Sequence, residues 1–247
     1  ILSGLVGSEM CIRDSLPTPG YLSHNSSMTP PHQLLERIGV PSHAYADSGQ
    51  GVVDDIAQSL ASAGCPVSGV RDVLDFGCGC GRVLRPMRSR FPHLQVTGAD
   101  IDSEAIAWLT ETLDGSFVAL DHEPPTPFND AAFDLIYGIS VFTHLPERLQ
   151  HAWLAELHRI IRPGGTLLLT VHGESWFTPH SRSLAVATGG FHYDVSAAST
   201  AGLPDFYRNT YHSKGYVASV WGRYFQIISH HELGLQSHQD IVICRRA

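Results

Sequence analysis

The run Val73-Leu74-Asp75-Phe76-Gly77-Cys78-Gly79-Cys80-Gly81-Arg82 decides how this chain folds. It opens with apolar residues, reaches an acid at Asp75, and then places glycine at every second position from Gly77 to Gly81. An amphipathic stretch, residues 83–91, follows. The order reads as a buried strand, a tight glycine turn and the start of a helix. Such a turn lets a ligand approach bare backbone. The helix start offers unpaired N–H groups and a partial positive charge. A second strand, residues 95–99, ends beside Asp100. An acid about 20 residues past a glycine turn is placed to accept both hydroxyls of a ribose.

At these residues the chain resembles a known family. Leu74 to Gly81 is similar to the first motif of class I S-adenosylmethionine-dependent methyltransferases. From Pro30 to the C-terminus the chain resembles one bacterial branch of that superfamily, known only as methyltransferase-domain proteins. Two further stretches carry the likeness: the lead-in pattern Pro30-Pro31 to Gly39, and the run from Ser140 through Arg162-Pro163-Gly164-Gly165. The resemblance implies an α/β, Rossmann-like, doubly wound sheet of seven strands with helices on both faces. Its implied strand order is 3-2-1-4-5-7-6, with the last strand antiparallel. It implies S-adenosyl-L-methionine as cofactor. Asp75 would meet the ammonium, and Gly77, Cys78, Gly79 and Gly81 the methionyl part and ribose. Asp100, with Ile101 beside it, would serve the ribose. Ser140, just past the fourth strand, joins the set. In the family an acid just past the third strand binds the adenine amino group, which points to Asp121. Its turn here, Thr126-Pro127-Phe128, is one residue late, and a solvated loop acid is the competing reading. A nicotinamide dinucleotide would use the same geometry. Its glycines run GxGxxG, however, and its pyrophosphate would not welcome Asp75.

Working outward, residues 30–39 read as a short helix opened by prolines, either over the cofactor or a simple cap. A second helix is expected over 51–63, with Val52, Ile56 and Leu60 on one face. Residues 72–76 form the first strand and 81–91 the first domain helix. Asp102 and Ser103 cap the next helix, whose face carries Ile106, Leu109 and Leu113. Strands follow at 116–120, 133–139 and 166–171. The helix at 146–161 between the last two is stopped by Pro163-Gly164-Gly165. Residues 173–212 form an irregular insertion of the kind that supplies a lid or substrate wall. A helix at 213–224, a strand at 225–229, a turn at 232–237 and a strand at 241–244 complete the pattern.

Residues 5–15 are similar to a translated transposase-type sequencing adapter, so 1–15 are expected not to be native. The native start is then open, with Met28 one candidate. Residues 16–64 form a lead-in, and 65–247 the domain. Removing the first fifteen residues changes the formal charge from −8 to −7, which argues against nucleic acid as an obligatory partner. Cys78 and Cys80 read as small buried residues, because a second cysteine pair for a metal site is missing. No disulfide framework, signal peptide or apolar run near 18 residues is apparent, and a cytoplasmic location is the default.

Topology sends His144, His172, Tyr211, His212 and the run His238-Gln239-Asp240 to the carboxyl edge of the sheet, where ligands bind. His144 and His172, then His212 and His238, are the candidate general bases for a hydroxyl acceptor. A core or capping histidine is the competing reading for each. A metal held by three histidines and Asp240 is a second alternative, although no metal is expected. No Asn/Asp-Pro-Pro-Tyr sequence follows the fourth strand. Its absence, with the acidic charge, argues against base amines and glutamine amides and for a small-molecule acceptor such as a hydroxyl or sugar-like compound, with O-, N- and C-methylation all open. Two other functions share these features: a non-catalytic cofactor-binding or partner-binding domain, and aminopropyl transfer. The second needs more acids than Asp121 and Asp240 supply.

Overall fold

The computed structural model describes residues 29–196 and 202–247. The expectations about residues 1–15, the stretch 16–27 and Met28 lie outside the described residues. Five strands run parallel: β1 (Asp72–Phe76), β2 (Gln95–Asp100), β3 (Ser116–Ala119), β4 (Phe133–Gly138) and β5 (Ile161–Val171). A separate antiparallel ribbon follows, β6 (Phe191–Tyr193) with β7 (Thr210–His212). The sheet is completed by β8 (Gln226–Leu235) and β9 (Gln239–Arg245), in the order β3-β2-β1-β4-β5-β9-β8. This is the expected Rossmann-like topology, with the β6–β7 ribbon added inside the insertion.

The strand sequences show why both faces are covered. Val73, Leu135, Leu168, Ile241 and Ile243 enter one apolar cluster, while Leu74, Ile136, Leu167, Leu169 and Val242 enter the other. Successive residues of a strand point to opposite faces, so near-continuous apolar runs need helices on both sides. Helices α1 (His32–Arg37), α2 (Tyr45–Ser62), α3 (Leu84–Arg90) and α4 (Ser103–Thr112) precede the third strand. Of these, α2, α3 and α4 give Ile56, Leu60, Leu84, Met87 and Leu109 to the first cluster. Helices α5 (Glu147–Ile160), α6 (Pro179–Ala187) and α7 (Lys214–Val220) come later, and Trp153, Leu157 and Val217 from α5 and α7 fill the second. Each large side chain so buried contributes about 1.5–3 kcal/mol.

Several boundaries differ from expectation. Helix α2 begins at Tyr45 rather than near 51. Its Gly49 is needed because a Cβ there would stand 2.1 Å from the Arg82 carbonyl oxygen. Helix α3 starts only at Leu84, the preceding residues being spent on the turn. Helix α5 ends at Ile160, before Pro163-Gly164-Gly165, since a proline drives the residue ahead of it out of helical backbone. Strand β8 runs on through the expected turn to Leu235, and the chain reverses at Gln236 and Ser237, both at positive φ. No helix among the described residues is long and apolar enough to cross a membrane.

Asp102 ties the lead-in to the domain. Its carboxylate accepts from Glu104 N at 3.1 Å and Ala105 N at 3.2 Å, capping α4, and takes both oxygens' bonds from Arg37 Nη1 at 2.8 Å. Asp102→Ala removes a cap and leaves the Arg37 guanidinium with Glu104 as its remaining partner, so urea titration should show a loss of about 1–3 kcal/mol. Asp102→Asn, which keeps the cap, should lose less.

Candidate functional site

A cavity of about 620 Å³ opens where β1, β2 and β4 end. Its glycine end is built by the turn after β1. Gly77 (φ 81°) and Gly79 (φ 50°) adopt backbone that L side chains rarely take, and a Cβ on Gly77 would stand 2.3 Å from Val141 Cγ2. The turn is pinned by Gly77 N and Cys78 N to the Ala99 carbonyl, at 2.8 and 3.1 Å, and by Gly79 N to Asp100 Oδ2 at 2.6 Å. Asp100 Oδ1 accepts from Asp102 N at 2.8 Å. Both oxygens of Asp100 are therefore oriented, and its carboxylate lines the cavity with Ile101. Burial pushes Asp100 up to about 6, with the two backbone N–H groups opposing.

Asp75 lines the same end and is 2% exposed, with Oδ2 lacking any hydrogen-bond partner. Burial pushes it up to about 7. The Tyr137 hydroxyl opposes that rise from nearby without reaching hydrogen-bond geometry, Asp100 adds to it, and Arg82 pulls against it.

The other end is aromatic. His144, His172, Trp176, Phe206, Tyr207 and His238 line it. His144 stacks on Tyr207 with centroids 4.2 Å apart, and His172 lies 4.6 Å from Trp176, which in turn meets His238 edge-on at 4.5 Å. Burial lowers both His144 and His172 to about 4, so each is neutral at physiological pH. A backbone hydrogen-bonding group of Arg208 works the other way on His144, favouring its charged form.

The structure thus gathers Asp75, Gly77, Cys78, Gly79, Asp100, Ile101, Ser140, His144, His172 and His238 around one cavity. Ser140 sits at φ 60°, its N–H donating to Thr170 Oγ1 at 2.8 Å and its hydroxyl meeting the Gln239 amide. Five expected residues stand elsewhere. Gly81 does not line the cavity and packs against Leu109. Asp121 is exposed and does not line the cavity, whereas its neighbours Leu120, buried, and His122, itself exposed, do. His212 is fully buried away from the cavity, its Nε2 hydrogen-bonded to Gln150 Oε1 at 2.8 Å. That amide is itself anchored, because Gln150 Nε2 donates to the Phe142 and Leu145 carbonyls. Tyr211 stacks on His192 instead. Asp240 is claimed by His230 Nε2 at 2.8 Å and Leu233 N at 2.9 Å, so the set of three histidines with Asp240 is not assembled. No group of three or more His, Cys, Asp or Glu among the described residues could hold a metal ion.

Sequence reasoning missed Trp176, Tyr207, His122 and Arg82 as lining residues. Trp176 and Tyr207 lie in the insertion, where no periodicity orients side chains. Arg82 directly follows the glycine turn, and that adjacency was the available signal. It is half-buried, and no hydrogen bond or ion pair among the described residues engages its guanidinium.

The methyltransferase domain family matches residues 73–165. Malonyl-[acyl-carrier protein] O-methyltransferase of Hahella chejuensis is 28% identical over 155 residues, 57% of this chain and 53% of that protein. Ribosomal RNA small subunit methyltransferase C of the same organism is 28% identical over 149 residues, 57% of this chain and 40% of that one. The chain thus spans about half the length, or less, of these curated relatives. Magnesium protoporphyrin IX methyltransferase from Synechocystis, solved with bound S-adenosylhomocysteine, shares the fold at TM-score 0.55 and 18% identity, over 81% of this chain and 84% of that one.

The burial of Asp75 has a pH signature. Between its ordinary value of 3.8 and about 7, the native state keeps a proton that the unfolded chain has released. Its contribution to stability therefore falls as pH rises through that window and then levels off. In the ligand-free protein Asp75→Asn should raise the melting temperature, and by more at about pH 8 than at about pH 5. A gain that does not grow with pH contradicts the buried, unpaired carboxylate.

Proposed function

We propose that the protein, whose residues 73–165 match the methyltransferase domain family, is a class I S-adenosylmethionine-dependent methyltransferase that methylates a hydroxyl of a small, uncharged, ring-bearing molecule. The observation that carries this reading is a single cavity with the glycine turn and its acids at one end and neutral histidines among aromatic rings at the other. The residues present suit the cofactor. Asp75 is a buried acid without a donor, and a ligand ammonium supplies one. Asp100 is a carboxylate held by two backbone N–H groups, with remaining lone pairs for ribose hydroxyls. S-adenosylmethionine, when bound, supplies a methyl group already activated by its sulfonium.

The chain's own task is to position the acceptor, exclude water and take a proton. His144 is the proposed general base. It is neutral at physiological pH, lines the cavity, and has a backbone group of Arg208 placed to favour the imidazolium once it forms. Stacking on Tyr207 holds its ring. His172 and His238 form acceptor walls with Trp176 in this reading.

The acids lining the cavity, Glu36, Asp75, Asp100 and Asp102, and its arginines, Arg37 and Arg82, come from the lead-in and the loops around the glycine turn. The aromatic residues offer no carboxylate to hold a polyamine and no lysine or arginine to hold a phosphate chain. This supports methyl transfer over aminopropyl transfer, and a small molecule over nucleic acid. The formal charge of −8 supports the latter choice too. A cytoplasmic location belongs to the same proposal.

The test pairs calorimetry with an acceptor screen. Asp100→Ala should weaken S-adenosylmethionine binding at least about tenfold. On any hydroxylated acceptor that the screen finds, His144→Ala should lower kcat by about 10²–10⁴ with cofactor affinity kept. A folded wild-type protein that binds no S-adenosylmethionine would overturn the reading.

A further inference from the structure

The loop between β4 and α5 carries His144, and its backbone is held from outside. Four consecutive carbonyls, from Phe142 to Leu145, each accept a hydrogen bond from another segment. The insertion supplies donors to three of them: Thr210 N to Thr143 at 2.8 Å, Arg208 N to His144 at 3.2 Å and Thr210 Oγ1 to Leu145 at 3.0 Å. The Phe142 carbonyl depends on Gln150 of α5, whose Nε2 donates to it at 3.1 Å and to Leu145 at 3.0 Å. One buried amide thus grips the loop on both sides of His144.

Those two bonds decide which way the amide faces. With its NH₂ spent on carbonyls, Oε1 is the atom that meets His212 Nε2 at 2.8 Å. An amide oxygen only accepts, so the neutral His212 ring carries its proton on Nε2. Burial keeps that ring neutral, lowering it to about 3. The rings of Phe191, Tyr216 and Trp221 pack around it. The backbone N–H of the same residue donates to the His172 carbonyl at 2.9 Å. His212 therefore reaches both segments that bring a histidine to the cavity: the His144 loop through Gln150, and the end of β5 directly.

We propose that Gln150 and His212 are positioning residues, which together fix the His144 loop and set its place relative to His172. The assignment rests on the reading of His144 as the general base and deepens it. The two cavity rings stand edge-on, 6.1 Å between centroids, and neither backbone segment sets that spacing alone. A base displaced by about 1 Å loses much of its effect, so a buried pair that holds its loop acts on the reaction without touching the acceptor.

The test reads the His144 ring itself, by nuclear magnetic resonance titration of histidine-labelled full-length protein. In the wild type His144 should stay uncharged down to about pH 5, because burial holds it near 4. Gln150→Leu should loosen the loop, admit water and raise the His144 midpoint toward 6.5 by at least about one pH unit. His212→Leu should act in the same direction, and His212→Gln, which keeps a donor for Gln150 Oε1, should restore the wild-type midpoint. The titratable rings beside His144, those of His172 and Tyr207, are unchanged in all three. Calorimetry should find S-adenosylhomocysteine affinity kept within about threefold. Ile160→Ala is the control for a merely structural role. It opens a cavity at the far end of α5, about 15 Å along the helix, and should lower the melting temperature without moving His144. If Gln150→Leu does not fold, the His212 pair decides. An unmoved midpoint in folded Gln150→Leu or His212→Leu overturns the proposal, and so does an equal shift in Ile160→Ala. A wild type that binds no S-adenosylhomocysteine overturns the cofactor reading alone, since the titration needs no ligand.

Discussion

A carboxylate buried at the tip of β1 without a hydrogen-bond donor is the constraint on which the rest of the molecule depends. Leaving such a group unpaired costs about 1–3 kcal/mol, and more when it is charged. Asp75 stays in place because its neighbours leave it no alternative. Val73 and Leu74 are locked into opposite apolar clusters on either side of it. The turn that follows is fastened to the Ala99 carbonyl and to Asp100. Unmet hydrogen bonding is thereby concentrated beside the glycines, at the wall of the cavity.

Two segments outside the repeating strand-helix pattern complete the cavity. The lead-in helix α1 is drawn over the turn by Arg37, whose ion pair with Asp102 also caps α4, so one acid serves both lid and scaffold. Ile38 then lies 3.2 Å from where a Cβ of Gly79 would be. From the other side, the insertion contributes Trp176, Phe206 and Tyr207. Its attachment is specific: Thr210 N donates to the Thr143 carbonyl, and the Tyr207 hydroxyl donates to the Ser140 carbonyl at 3.2 Å. The aromatic wall is thus hung from the loop after β4, the same loop that carries His144.

The histidines show how one residue type is divided between cavity wall and core. His144, His172 and His212 are all held neutral by burial. What separates them is what lies beyond the ring. His212 meets a glutamine amide that is itself fixed by two backbone carbonyls, and it is therefore a piece of the core. His144 meets a cavity and an aromatic ring. Burial alone would have ranked His212 first, and geometry ranks it last.

The sequence by itself determined the sheet, the glycine turn and the acids around it. Apolar alternation, the spacing of glycine and the position of Asp100 are local properties, set by backbone sterics and a two-residue side-chain period. The cap at Asp102 was legible for the same reason, because a capping side chain reaches only its own first turn. Only the tertiary structure decided which residues share the cavity. Asp121 and His122 are neighbours in sequence and both are exposed, yet only His122 lines the cavity. Asp240 was spent on His230 and a backbone N–H, and His212 on Gln150, through contacts between segments that no local pattern relates. Arg82 remained without a partner because α2, far from it in sequence, fills the space against its stem and leaves its guanidinium facing the cavity. Such outcomes depend on how distant surfaces meet, and a hydrogen bond between them is decided by packing that the local sequence does not encode.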